Sequence, residues 1–220
     1  MSLWIKICAN TSLEDALLVA EAGADAVGFV FAPSKRRVTV EQVAAITPSL
    51  PAAIEKIGVF VDVTAEEAAE TAMRCGLTGV QLHFAAPLAL TASLRKILGD
   101  QKKILRVLHY GKAAPENFPV LLADPNADAF LVDSHSAQGA GGTGQTFDWM
   151  AASQTLFQNA QERRLVVAGG LHPENVAEAI RVLKPYGVDV ASGVEAAPGR
   201  KDPAKVRALI ANAKNAAEVL

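Results

Sequence analysis

The sequence predicts a (β/α)8, or TIM, barrel formed as one domain over residues 1–220. Three observations predict it. Eight short apolar runs recur at fairly even spacing, the segments between them have helical character, and the polar and glycine-rich irregularities fall just after the runs. Strand and helix alternating eight times is the pattern of a closed parallel barrel. Such a barrel keeps its chemistry at the end where the strands finish.

Each run is β-branched, bounded by polar or glycine positions, and too short to be a helix. The first is Trp4–Cys8. Ser12-Leu13-Glu14-Asp15 then places a cap ahead of Ala16–Ala22, and Gly23 supplies the stop. The second and third runs are Ala26–Phe31 and Lys56–Val61. Thr64-Ala65-Glu66-Glu67 has capping-box spacing, and Gly76 closes that helix. Gly79–His83 is the fourth run, with Pro87 suited to a first helical turn. Lys103–Tyr110 is the fifth. The helix after it, near Pro115–Ala123, has the weakest signal because it contains Pro119. Ala129–Asp133 leads into a long polar loop, Ser134–Thr146. Arg164–Gly169 and Gly187–Ser192 complete the set, with Pro173 and Pro203 again at first-turn positions.

Bulk composition bounds the function. Hydrophobic residues make up 50%, which supports a dense α/β interior, and no stretch reaches membrane-spanning length. The formal charge of −2 offers no basic field for nucleic acid, so an anionic substrate must be met locally. Cys8 and Cys75 form no disulfide framework, and no signal-peptide pattern precedes the first run; a cytoplasmic setting is expected. The sequon Asn10-Thr11-Ser12 has no meaning without secretion.

Side chains alternate along a strand. Apolar Ile5 and Ile7 suit the helix side, so Lys6 and Cys8 face the barrel axis. On the eighth run Val188 and Val190 pack outward and Asp189 points in. The first and eighth strands are neighbours on closure, and either charge alone inside would be costly. Lys6 and Asp189 are therefore expected to meet.

Cys8 and Asp133 end their strands on the chemical rim. A thiol there can accept a proton, and a carboxyl in a narrow, partly dry rim can donate one. The bland readings are a buried small hydrophobe and a turn aspartate. Gly139–Gly144 fits G-x-G-x-x-G but follows its strand too late for a dinucleotide fingerprint. A lid, or a backbone closely approaching ligand through Gly142, fits better. Ala168-Gly169-Gly170-Leu171 and Ser192-Gly193-Val194-Glu195 end the seventh and eighth strands, the habitual phosphate site of this architecture. One of Arg36 and Arg37 can fork onto a substrate carboxylate. His83, His109, His135 and His172 all lie near strand ends. Asp133 is the one clear inward carboxylate beside them, so hydrogen-bonded or solvated histidines are expected and no metal site.

These motifs resemble, end to end and in order, those of the phosphoribosylanthranilate isomerase family. They are Lys6-Ile7-Cys8, Gly28-Phe29-Val30-Phe31, Ser34-Lys35-Arg36, Gly58-Val59-Phe60, Val80-Gln81-Leu82-His83, Asp133, Gly141–Gly144 with Phe147-Asp148-Trp149, Gly169-Gly170-Leu171 with Asn175, and Asp189–Glu195 with Pro198–Asp202. The resemblance implies a cofactor-free Amadori rearrangement in tryptophan biosynthesis: phosphoribosylanthranilate becomes carboxyphenylamino-deoxyribulose phosphate. It assigns Asp133 as general acid and Cys8 as general base. Arg36 takes the anthranilate carboxylate, and Gly170, Ser192 and Gly193 hold the phosphate. A monomer or homodimer is expected, with no membrane or nucleic-acid partner.

The chain departs from the family pattern at Ala9 and Phe84, where glycine is usual, at Ala191, where serine is common, and at Lys35, where proline is common. The methyl of Ala9 is tolerable with a negative φ; Phe84 can narrow the anthranilate pocket or stack on its ring. Two other readings stand beside the isomerase. One is a metal-assisted sugar-phosphate epimerase using the rim histidines; the other is a non-catalytic anion-binding paralogue. An aspartate in place of Cys8, the expected sign of a histidine-pathway substrate, is absent.

Overall fold

A computed structural model describes residues 3–111, 118–134, 146–158, 160 and 163–219. Eight parallel strands close into a barrel in chain order: β1 (Trp4–Ile7), β2 (Ala26–Val30), β3 (Glu55–Phe60), β4 (Gly79–Leu82), β5 (Lys103–Tyr110), β6 (Ala129–Ser134), β7 (Leu165–Val167) and β8 (Gly187–Val190). The intervening helices are α1 (Leu13–Glu21), α2 (Val40–Ile46), α3 (Ala65–Arg74), α4 (Leu88–Leu98), α5 (Phe118–Leu122), α6 (Trp149–Ala152) and α7 (Val176–Leu183). A small hairpin, β9 (Glu195–Ala197) with β10 (Arg200–Lys201), precedes the closing helix α8 (Pro203–Glu218). No helix among the described residues is long and apolar enough to cross a membrane.

Period-two alternation separates two apolar layers. Ile5, Ile7, Val132, Val188 and Val190 pack outward under the helices, while Trp4, Ile57, Leu105, Leu131 and Val166 fill the barrel interior. Lys6 is paired in register with Asp189 across the β1–β8 seam, and its ammonium bonds both carboxylate oxygens, at 2.9 and 2.8 Å. Burial alone would lower the Lys6 ammonium. The Asp189 carboxylate and the Cys8 thiol beside it outweigh that and hold Lys6 above the ordinary lysine value. Lys6→Met leaves a buried carboxylate unpaired and is expected to cost about 3–5 kcal/mol of unfolding free energy in urea titration. An unchanged midpoint would show that the pair is dispensable.

Helix ends follow the expected chemistry. Ser12 caps α1, Thr64 and Glu67 form the reciprocal box on α3, and the Asp202 side chain accepts N–H groups of Ala204 and Lys205 at the start of α8. Pro119 lies within α5, and residues 115–117 of that expected helix lie outside the described residues. Pro87 is the cap of α4 rather than a residue within it. Pro173 does not start a helix: α7 begins at Val176. The Asn175 side chain accepts the His172 N–H and donates to the Gly170 carbonyl, so residues 172–175 form a turn bracing the loop after β7. The eighth run ends at Val190, because the chain folds at Ser192–Val194 into a short 3-10 turn.

Candidate active site

The strands finish around one cavity of about 140 Å³, lined by Cys8, Arg36, Asp133, Gly170 and Ser192 among others. Five expected site residues thus converge from β1, β6 and the loops after β2, β7 and β8.

Cys8 lies one residue beyond β1 and is 7% exposed. Its N–H donates to the Val190 carbonyl at 2.8 Å, and its carbonyl accepts from Lys201 Nζ at 2.6 Å. A Cβ on Gly28 would stand 2.7 Å from Sγ, so the glycine of β2 makes the space that the thiol occupies. Burial pushes the thiol up, the Lys6 ammonium opposes this, and the net result lies above the ordinary cysteine value. The resting group is therefore the neutral thiol at neutral pH.

Ala9 corrects an expectation. Its φ is +63°, not negative. The chain must reverse there so that the Asn10 N–H reaches the Gly28 carbonyl and Asn10 Nδ2 reaches the Ile7 carbonyl. A left-handed L-residue costs about 1–2 kcal/mol. Ala9→Gly is expected to raise the unfolding free energy by roughly 0.5–1 kcal/mol once glycine's greater unfolded freedom is subtracted. No gain in chemical denaturation would contradict the strain.

Asp133 is buried near the end of β6. Its Oδ2 lies 3.3 Å from His83 Nε2, and His83 Nδ1 lies 3.2 Å from Gln81 Nε2. With the Gln81 amide donating to Nδ1, the imidazole proton sits on Nε2 and points at Asp133. The other oxygen, Oδ1, faces Gly169, where a Cβ would stand 2.6 Å away; Gly169 is also at φ +80°, so a side chain is excluded twice.

Arg36 reaches the cavity from the loop after β2, and its Nε and Nη2 both bond Glu195. Gly170 lines the cavity at φ +65°. Gly193 packs directly on the Leu171 carbonyl, which locks the β8 turn against the β7 loop. Gly142, the whole Gly139–Gly144 run and His135 lie outside the described residues. Phe84 packs half-buried against the outer core and is not in the cavity wall, so it does not narrow the pocket as expected. His172 bonds Glu174 at the surface, and His83 and His109 meet edge to face. Among the described residues no three His, Cys, Asp or Glu side chains converge as a metal site.

Three contributors were given no role in advance: Gln81, which holds His83 behind Asp133, and Glu195 and Lys201 behind Arg36 and Cys8; His83 is one of the hydrogen-bonded histidines expected. Gln81 carried a readable signal, since a polar residue inside an apolar strand needs an inward partner.

The family model described as N-(5'phosphoribosyl)anthranilate (PRA) isomerase matches residues 5–212. The chain belongs to the phosphoribosylanthranilate isomerase family. A family member from Pelobacter propionicus is 46% identical over 212 residues, covering 96% of this chain and 95% of its own. The crystal structure of phosphoribosyl anthranilate isomerase from Thermotoga maritima superposes with a TM-score of 0.85 at 37% identity, covering 97% of this chain and 99% of that one. A further isomerase structure, at TM-score 0.81 and 36% identity over 97% of this chain and 99% of that chain, holds reduced 1-(o-carboxyphenylamino)-1-deoxyribulose 5-phosphate.

Proposed function

We propose that this chain isomerises phosphoribosylanthranilate to carboxyphenylamino-deoxyribulose phosphate, the Amadori step of tryptophan biosynthesis, using Asp133 as general acid and Cys8 as general base. The observation that carries the reading is one cavity bearing a buried thiol and a buried carboxyl on its wall, with glycine-rich turns after β7 and β8 beside them.

The roles follow from what each step needs. Opening the ribose ring requires a proton on the ring oxygen as the C1–O bond breaks and the aniline nitrogen supplies its electron pair, giving a Schiff base. Protonated Asp133 donates that proton, and His83 Nε2 steadies the carboxylate left behind. The next step removes the C2 proton. Cys8, as thiolate, accepts it, and the electrons move to the imine nitrogen to give an enolamine. Return of a proton to C1, with loss of the O2 proton, yields the ketose. The Lys6 ammonium favours the charged form of the thiol against the cost of burial. Arg36 meets the anthranilate carboxylate. The main-chain amides around Gly170, Ser192 and Gly193 receive the phosphate.

The test is growth. The gene should restore tryptophan independence to a host lacking this isomerase, and the purified protein should form the product without an added metal or cofactor. Failure of both, with the protein folded, removes the reading.

A further inference from the structure

Glu195 is a buried carboxylate that the reaction above does not use. It opens β9, directly behind the 3-10 turn that follows β8, and its side chain is 5% exposed. It accepts from Arg36 Nε at 2.8 Å, from Arg36 Nη2 at 2.7 Å and from the Gly199 N–H at 3.1 Å, and Lys201 Nζ stands 3.6 Å away. That same ammonium holds the Cys8 carbonyl at 2.6 Å and the Ala191 carbonyl at 3.5 Å.

We propose that Glu195 is a positioning residue for carboxylate recognition, holding Arg36 by one edge of its guanidinium and, through Lys201, tying it to the main chain that carries Cys8. This rests on Arg36 being the carboxylate receptor.

Three physical points support it. Arg36 springs from an exposed loop: Ser34, Lys35 and Arg37 around it all face solvent. A free arginine there would lose rotamer entropy on gripping a ligand, and Glu195 imposes that order before the ligand arrives. The fork uses Nε and Nη2, and Nη1 takes no part in it. The charges also balance. Arg36 and Lys201 against Glu195 leave one net positive charge, which matches one substrate carboxylate. Burial alone would raise the Glu195 carboxyl; the Arg36, Lys201 and Gly199 donors outweigh this and keep it ionised below the ordinary glutamate value.

The test compares inhibition by two probes: the reduced carboxyphenylamino product analogue and the same molecule with phenyl in place of carboxyphenyl. Wild type should prefer the first. Glu195→Gln should cut that preference by about tenfold, the scale of one charge-assisted hydrogen bond, with affinity for the phenyl probe little changed. In an Arg36→Met background, Glu195→Gln should have no further effect on the preference. A full preference in Glu195→Gln, or equal weakening of both probes, overturns the proposal. If instead Arg36→Met itself keeps the preference, the receptor reading has failed and the positioning role falls with it. Should Glu195→Gln not fold, Glu195→Asp serves instead, because the shorter side chain withdraws the carboxylate from the Arg36 fork. An unchanged preference there overturns the proposal equally.

Discussion

Asp133→Asn is expected to lower kcat/KM by about 10²–10⁴-fold while the barrel stays folded, the range for loss of one positioned acid. Asparagine keeps the size and can still accept from His83 Nε2, so the geometry at Oδ2 survives. What disappears is the transferable proton at the ring oxygen. Ring opening then depends on water, with no acid positioned at the ring oxygen. The loss should fall on kcat rather than on KM, because the contacts proposed for the substrate carboxylate and phosphate lie elsewhere. Near-normal turnover would remove Asp133 from the mechanism.

Cys8→Ser is expected to cost a comparable factor, about 10²–10⁴, for the complementary reason. A serine fits the space cleared by Gly28, but its hydroxyl is far too weak an acid to supply an alkoxide near neutral pH. The pH profile separates a base from a merely packed residue. Burial raises the thiol above its ordinary value, so the thiolate fraction is small at neutral pH and grows as pH rises towards the folded value. Wild-type kcat should therefore climb with pH through the alkaline range, and Cys8→Ser should lose that climb. A wild-type profile flat across this range would contradict the assignment.

Much of this was legible in the chain because two periodic signals coincide. Strand alternation told Lys6 from Ile5 and Ile7, and Asp189 from its valines; the cost of a lone buried charge then forced the two to meet, as they do at 2.8 Å. The positions of Cys8 and Asp133 on the cavity wall were readable because both sit at strand ends, where a barrel keeps its cavity. The residues that went unread act through space rather than through pattern. Arg36 and Glu195 are separated by 159 positions, and neither carries a local cue naming the other. The left-handed turn at Ala9 was invisible because alanine does not advertise a positive φ as glycine does. Gly28 read only as a strand residue, since the thiol it clears room for belongs to a different strand. Pro173 misled because the bonds of Asn175 to the β7 loop outweigh the usual preference of proline for a first helical turn.

The proposed mechanism divides the labour: the carboxyl opens the ring and the thiol takes the C2 proton. Substrate deuterated at C2 of the ribose tests it most directly, with kcat compared for Cys8→Ser and Asp133→Asn. A primary isotope effect is expected in Cys8→Ser, where C–H cleavage has become limiting, and none in Asp133→Asn, where ring opening limits instead. Equal isotope effects in the two variants would contradict it.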